Sequence, residues 1–184
     1  MKASSSMSAR LLIAIVGGVV ALTPIIWAYS SGPPNGRTGA PGETDCSFCH
    51  NSFLVDSGPG STVIDGPGSY TPGDTVELRI NVYSQGQQRW GFELTALDSA
   101  FGGVGVFVLT EPSRTQLSQS GSRSYVKHTL IGTDSGMADS SLGWTLRWVA
   151  PSSDRGPVTF YAAANAADGD NATDNDYIYR TTYT

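Results

Sequence analysis

Both cysteines of the 184-residue chain and one of its two histidines fall within five consecutive positions, Cys46-Ser47-Phe48-Cys49-His50. Two thiols separated by two residues and followed at once by an imidazole form the pattern of c-type haem attachment. Geometry explains it. Each thiol adds across one porphyrin vinyl group, and the short Ser47-Phe48 spacer lets both sulfurs reach neighbouring vinyls on one edge of the ring. The backbone held there brings His50 beneath the macrocycle, where a ring nitrogen ligates the iron from the proximal side. Three other chemistries use parts of the same pattern. A Cys46–Cys49 disulfide closes a very small loop and so gains little chain-entropy stabilisation. A thioredoxin-like redox pair belongs at the start of a helix in a βαβ unit, and no such unit surrounds these residues. A zinc site needs a third and a fourth ligand, and adjacent Cys49 and His50 rarely point at one metal.

A six-coordinate iron needs one more donor. Outside the N-terminal segment the candidates are His128 and Met137. His128 is in strand phase with Val126 and Leu130, so its side chain is expected to face inward, either as the distal ligand or as a core histidine satisfied by a backbone carbonyl. Met137 sits in the turn-rich stretch Asp134-Ser135-Gly136-Met137-Ala138-Asp139 and is the alternative distal ligand. Two imidazoles would give a low-spin iron suited to electron transfer, and His–Met ligation would raise its potential. An open iron would admit peroxide or a diatomic gas. Arg37 could pair with a haem propionate, since guanidinium matches carboxylates, and an ordinary solvated arginine is its simpler reading. Trp90, Tyr125, Trp144 and Trp148 are expected to line the core or the haem pocket.

The elements that must hold these residues are strands. Thr75 to Tyr83 alternates, with Val76, Leu78, Ile80 and Val82 on one face and Glu77, Arg79 and Asn81 on the other, which predicts a half-buried strand. Trp90 to Ala96, Val104 to Leu109, Ser124 to Ile131, Trp144 to Val149, Val158 to Ala163 and Tyr177 to Tyr183 follow, each bounded by turn residues. Seven short strands at this spacing, with no sustained 3.6-residue period, predict an antiparallel β-sandwich over residues 70–184. Residues 31–69 form an arm. Its first thirteen residues, Ser31 to Glu43, hold three prolines and four glycines and cannot sustain a helix or a ladder. Such an arm either lies over the domain and delivers the haem motif or acts as a flexible linker.

Residues 1–30 read as a targeting segment. Lys2 and Arg10 precede an apolar run from Leu11 to Ala28, and Ala28-Tyr29-Ser30 offers small residues where a signal peptidase cuts. The run is about eighteen residues long, at the lower edge of a spanning length, so membrane attachment through an uncleaved segment is the alternative. Export to the periplasm, the cell surface or beyond agrees with haem attachment, which takes place outside the cytoplasmic membrane. The chain carries a formal charge of −5, which becomes −7 beyond residue 30, where nine basic residues face sixteen acidic ones. That surface offers no basic footprint for nucleic acid.

Several stretches resemble a known family. Tyr70-Thr71-Pro72-Gly73-Asp74, Trp90-Gly91-Phe92-Glu93-Leu94-Thr95-Ala96, Trp148-Val149-Ala150-Pro151 and Gly156-Pro157-Val158-Thr159-Phe160-Tyr161-Ala162-Ala163 resemble the landmarks of reeler-type domains. With the arm Ser31-Gly32-Pro33-Pro34 and Arg37-Thr38-Gly39-Ala40-Pro41-Gly42-Glu43, the chain is similar over residues 31–181 to the bacterial choice-of-anchor V proteins, and Tyr125-Val126-Lys127-His128-Thr129 resembles one of their strands. The resemblance implies an immunoglobulin-like, reeler-type sandwich, export and surface attachment. Many relatives carry a C-terminal anchor, a feature this sequence does not display.

The expected function is that of a monohaem c-type cytochrome with one covalent haem c, passing single electrons to redox partner proteins. Two alternatives come from other classes: a surface adhesion or self-assembly module with a structural haem, and a haem enzyme or gas sensor with an open iron. The acidic loop Asp168-Gly169-Asp170-Asn171-Ala172-Thr173-Asp174-Asn175-Asp176 has oxygen donors at alternate positions but lacks the EF-hand spacing, and a solvated turn is its simpler reading.

Overall fold

The computed structural model describes residues 28–140 and 143–184. The predicted targeting segment lies outside them except for its last three residues. Among the described residues nine strands form two antiparallel sheets: β1 (Gly60–Asp65), β2 (Thr75–Ser84), β3 (Arg89–Leu97), β4 (Val106–Leu109), β5 (Thr115–Ser120), β6 (Arg123–His128), β7 (Trp144–Val149), β8 (Thr159–Ala167) and β9 (Tyr177–Tyr183). One sheet runs β1-β2-β7-β4 and the other β5-β6-β3-β8-β9. The fold is the all-β, immunoglobulin-like sandwich that the strand spacing and the resemblance anticipate. Among the described residues no helix is long and apolar enough to cross a membrane.

Alternation decides what fills the space between the sheets. Leu78, Ile80 and Val82 from β2 and Trp144, Leu146 and Trp148 from β7 meet Trp90, Phe92, Leu94 and Ala96 from β3. Ala162, Ala164 and Ala166 on β8 complete that wall with small side chains, leaving room for the indoles. Each buried indole N–H has an acceptor: Trp90 on the Met137 carbonyl at 2.9 Å, Trp144 on Gly132 at 2.8 Å and Trp148 on Val104 at 3.0 Å. Phe92 packs against Trp144 with ring centroids 4.4 Å apart.

Two strands were not anticipated. β1 lies inside the predicted arm yet pairs with β2 from Gly60↔Ser84 to Asp65↔Arg79, so the sheet begins before residue 70. β5, Thr115-Gln116-Leu117-Ser118-Gln119-Ser120, is an edge strand whose polar sequence carries no apolar alternation. Ser124 to Ile131 also ends early, because pairing of β3 with β6 stops at Glu93↔Lys127 and Ile131–Thr133 forms a 3-10 turn.

The arm is docked. It crosses the outer face of the five-stranded sheet, and β3 is buried on both faces as a result. Glu43 holds it down: one carboxylate oxygen accepts Arg123 at 2.5 Å and the Tyr125 hydroxyl at 2.7 Å, and the other accepts Thr38 at 2.5 Å. Lys127 donates to the Pro33 carbonyl at 2.7 Å and to Asn35 at 2.9 Å. Cys46 packs on Ala163 and Ile178 of the same face, with Val55 beside them.

Covering that face buries a carboxylate that a two-faced strand would leave in water. Glu93 is fully inaccessible; it accepts the Arg37 backbone N–H at 2.5 Å through one oxygen, and its other oxygen has no partner. Burial raises its pKa to about 7, against the opposing pull of that backbone hydrogen bond. The folded chain therefore binds this proton more tightly than the unfolded chain, and stability falls as pH rises from the ordinary carboxylate range through about 7. At 1.36 kcal/mol per pKa unit the loss is on the order of 3 kcal/mol. Glu93→Gln should remove that slope and unfold at higher denaturant concentration at pH 8. Identical pH profiles of denaturant midpoint for the two proteins would refute this.

Candidate functional site

Cys46 opens a single 3-10 turn, Cys46–Phe48, whose N-terminus is capped by Asp45 accepting the Ser47 N–H at 2.8 Å. Side chains three apart eclipse in a 3-10 turn, so the two thiols emerge on one side, as attachment to neighbouring vinyls requires. Both thiols are free. Burial, reinforced by the nearby Glu93 carboxylate, pushes the Cys46 thiol far above the ordinary range. That is opposite to the lowered pKa of a redox-active thiol, and the turn is followed by no helix of a βαβ unit.

His50 follows the turn, its N–H bonded to the Cys46 carbonyl at 3.0 Å. Its Nδ1 lies 2.5 Å from Asp176 Oδ2, and the Asp176 side chain is 1 % exposed. A carboxylate oxygen accepts, so the contact places a proton on Nδ1, and in a neutral imidazole the lone pair is then on Nε2. Asn165 on β8 places its amide nitrogen 3.3 Å from the same carboxylate oxygen, 3.2 Å from Nδ1 and 3.4 Å from Nε2. One oxygen each of Asp176 and Asn165 is buried without a partner.

His128 departs from the strand-phase expectation. It is buried, but its ring does not follow Val126 into the space between the sheets. The β3–β6 ladder has ended, and the imidazole lies over Gly91 on the arm-covered side, where a Cβ on residue 91 would come within 2.8 Å of it. Nδ1 is 3.0 Å from the Phe92 nitrogen and 3.2 Å from the Phe92 oxygen. Which of the two bonds forms depends on the tautomer. Burial lowers the His128 pKa to about 4, outweighing the backbone hydrogen bonds to Phe92 and Tyr29. The ring is thus neutral at pH 7 and able to donate a lone pair.

These parts meet. A narrow cleft of about 70 Å³ is lined by Cys46, Cys49, His50 and His128 together with Arg37 and Arg89, and a porphyrin would need it wider. Met137 is not among its lining residues; its backbone carbonyl holds Trp90, and its side chain is partly exposed. Arg37 stacks on Phe48, its guanidinium carbon 4.3 Å from the ring centre, donates to Thr44 at 2.6 Å and leaves its buried Nε without an acceptor. Arg89, which the sequence reading did not single out, bonds Asn171 at the mouth.

The residue types are those a haem takes: two thiols three positions apart, one imidazole bonded to a carboxylate, a second, neutral imidazole, and two guanidiniums that could pair with propionates, one with an unpartnered N–H. Among the described residues no three of His, Cys, Asp or Glu cluster as a metal cage; a porphyrin needs none, because it brings four nitrogens itself. In the loop 168–176 the carboxylates of Asp168 and Asp170 turn back onto the Asp170 and Ala172 N–H groups, and Asp176 turns to His50.

No family model matches the chain. No curated protein is similar to it in sequence. Among solved structures it is similar to a cohesin module from a family 33 glycoside hydrolase of Clostridium perfringens, at 11% identity and a TM-score of 0.48, covering 69% of this chain and 95% of that one. A non-cellulosomal cohesin from Archaeoglobus fulgidus matches at 12% identity and a TM-score of 0.36 over 65% and 90% of the two chains. The chitin-binding domain of a Pyrococcus furiosus chitinase matches at 14% identity and a TM-score of 0.31 over 59% and 91%. At these scores the likenesses assign no family and no activity.

Proposed function

We propose that this chain is an exported c-type cytochrome that carries single electrons to and from partner proteins. A covalently held haem supplies the one-electron iron couple. Cys46 and Cys49 attach it, His50 ligates from the arm, and His128 ligates from the end of β6. The observation that carries the reading is the convergence of both thiols and both imidazoles of the described chain on one cleft. His50 and His128 are 78 positions apart in sequence, and neither needs to be there for the sandwich core. Export through the N-terminal segment, the reeler-type resemblance and attachment at the cell surface belong to the same proposal.

A second reading, an open iron serving an enzyme or a sensor, draws on one contact. If the Phe92 N–H donates to His128 Nδ1 at 3.0 Å, the ring proton sits on Nε2, which then cannot ligate. If Nδ1–H donates to the Phe92 oxygen, Nε2 holds the lone pair and could ligate once the ring gives up its bond to the Tyr29 backbone.

Production in a host that attaches haem outside the cytoplasm tests the main reading. The purified protein should gain the mass of one haem and show sharp low-spin bands when reduced. Cys46→Ser with Cys49→Ser should lose the covalent mass entirely. Wild-type protein without the added mass ends the proposal, and rapid binding of carbon monoxide by the wild type would favour the open-iron reading.

A further inference from the structure

We infer that Asp176 is a positioning residue that sets the electron-donating strength of His50 and thereby holds the iron couple toward its oxidised form; this rests on the proposal above. The carboxylate is almost wholly inaccessible, and one of its oxygens has no partner. Burying an ionised group so poorly supplied with hydrogen bonds is unfavourable for folding alone. What it obtains in return is specific: a 2.5 Å bond to His50 Nδ1, with the Asn165 amide 3.3 Å from the same oxygen. The three side chains come from the arm, β8 and the residue before β9, 126 and 115 positions apart from His50, so the sandwich itself fixes the imidazole's rotation.

A ligating imidazole that gives its other N–H to a carboxylate is a more basic ligand, and such outer partners change metal affinity or activity 10- to 100-fold when removed. The negative charge behind the ring favours ferric over ferrous iron. His128 has no carboxylate beside it: its hydrogen bonds are to the backbone of Phe92 and Tyr29. The two axial positions are therefore unequal, His50 being the stronger donor and His128 the weaker.

The test uses the holoprotein. Asp176→Asn keeps the shape and removes the charge. It should leave the haem attached and shift the ferric–ferrous equilibrium toward ferrous iron about 10- to 100-fold, which at 59 mV per tenfold is a potential roughly 60–120 mV higher. Asp176→Glu keeps the charge but misplaces the 2.5 Å contact. It should move the potential the same way by less, and it carries the test if the Asn variant does not accumulate. A shift below about threefold in whichever variants accumulate, with the low-spin bands intact, overturns the inference while leaving the cytochrome reading standing. Wild-type protein without haem fails the reading and not the geometry.

Discussion

Replacing His128 with alanine should convert a haem that ignores carbon monoxide into one that binds it. The ring occupies the space over Gly91 at the point where β3 and β6 part, and among the described residues no other histidine remains to replace it. The reduced variant should lose its low-spin bands and bind carbon monoxide rapidly, with the haem still covalently attached through Cys46 and Cys49. Met137 does not rescue ligation, because its carbonyl is engaged with Trp90 and its side chain is not on the cleft wall. An unchanged spectrum would remove His128 as a ligand, whereas an unfolded variant would show itself by loss of the β-sheet circular dichroism. Gly91→Ala probes the same place more gently, since a Cβ there would crowd the imidazole at 2.8 Å.

The second large effect concerns the arm. Glu43→Ala leaves Arg123 without its carboxylate partner and the Tyr125 hydroxyl without an acceptor, both under the arm. The pair is part-buried, so its loss lies between the roughly 1 kcal/mol of an exposed pair and the about 3–5 kcal/mol of a buried one. The sandwich core contains neither Glu43 nor the residues it binds, apart from Tyr125 at the outer face, so the cost falls on the docking of residues 31–50. Those residues should open as a local unit, losing amide-exchange protection and becoming sensitive to protease, while β3 and β8 amides stay protected. Equal protection of the arm in variant and wild type would refute the role given to Glu43.

Strands with one apolar face were legible in the sequence because their alternation reflects burial directly. β5 was not: an edge strand clothed by polar arm contacts needs no apolar face. β1 hid between two Gly-Pro-Gly clusters that read as uninterrupted loop. The pattern from Cys46 to His50 was legible because it is local in the sequence, and His128 came forward by its residue type. Its orientation was misread, because strand phase holds only as far as the ladder does and this ladder ends one residue earlier. Asp176 and Asn165 carried no signal that spacing could reveal. Asp176 looked like the last member of an acidic loop, and nothing singled out Asn165. Glu93 looked like an outward-facing charge. The path of the arm across the sheet helps to bury Glu93 and Asp176 and leaves Asn165 half-buried, and that path is fixed by contacts made over more than fifty residues.

The path of the arm also bears on the company the protein keeps before it is finished. Sheet margins invite foreign strands, since their peptide groups lack partners. Here residues 31–57 stand guard at both margins of the five-stranded sheet. Asn35 donates to the Gln119 carbonyl on β5 at 2.8 Å, while Asp56 gives its N–H to Ile178 and takes that of Arg180 on β9, each at 2.8 Å. A newly made chain whose arm has not yet settled presents two sticky borders at once. Clumping should therefore be most acute in the interval before the arm closes.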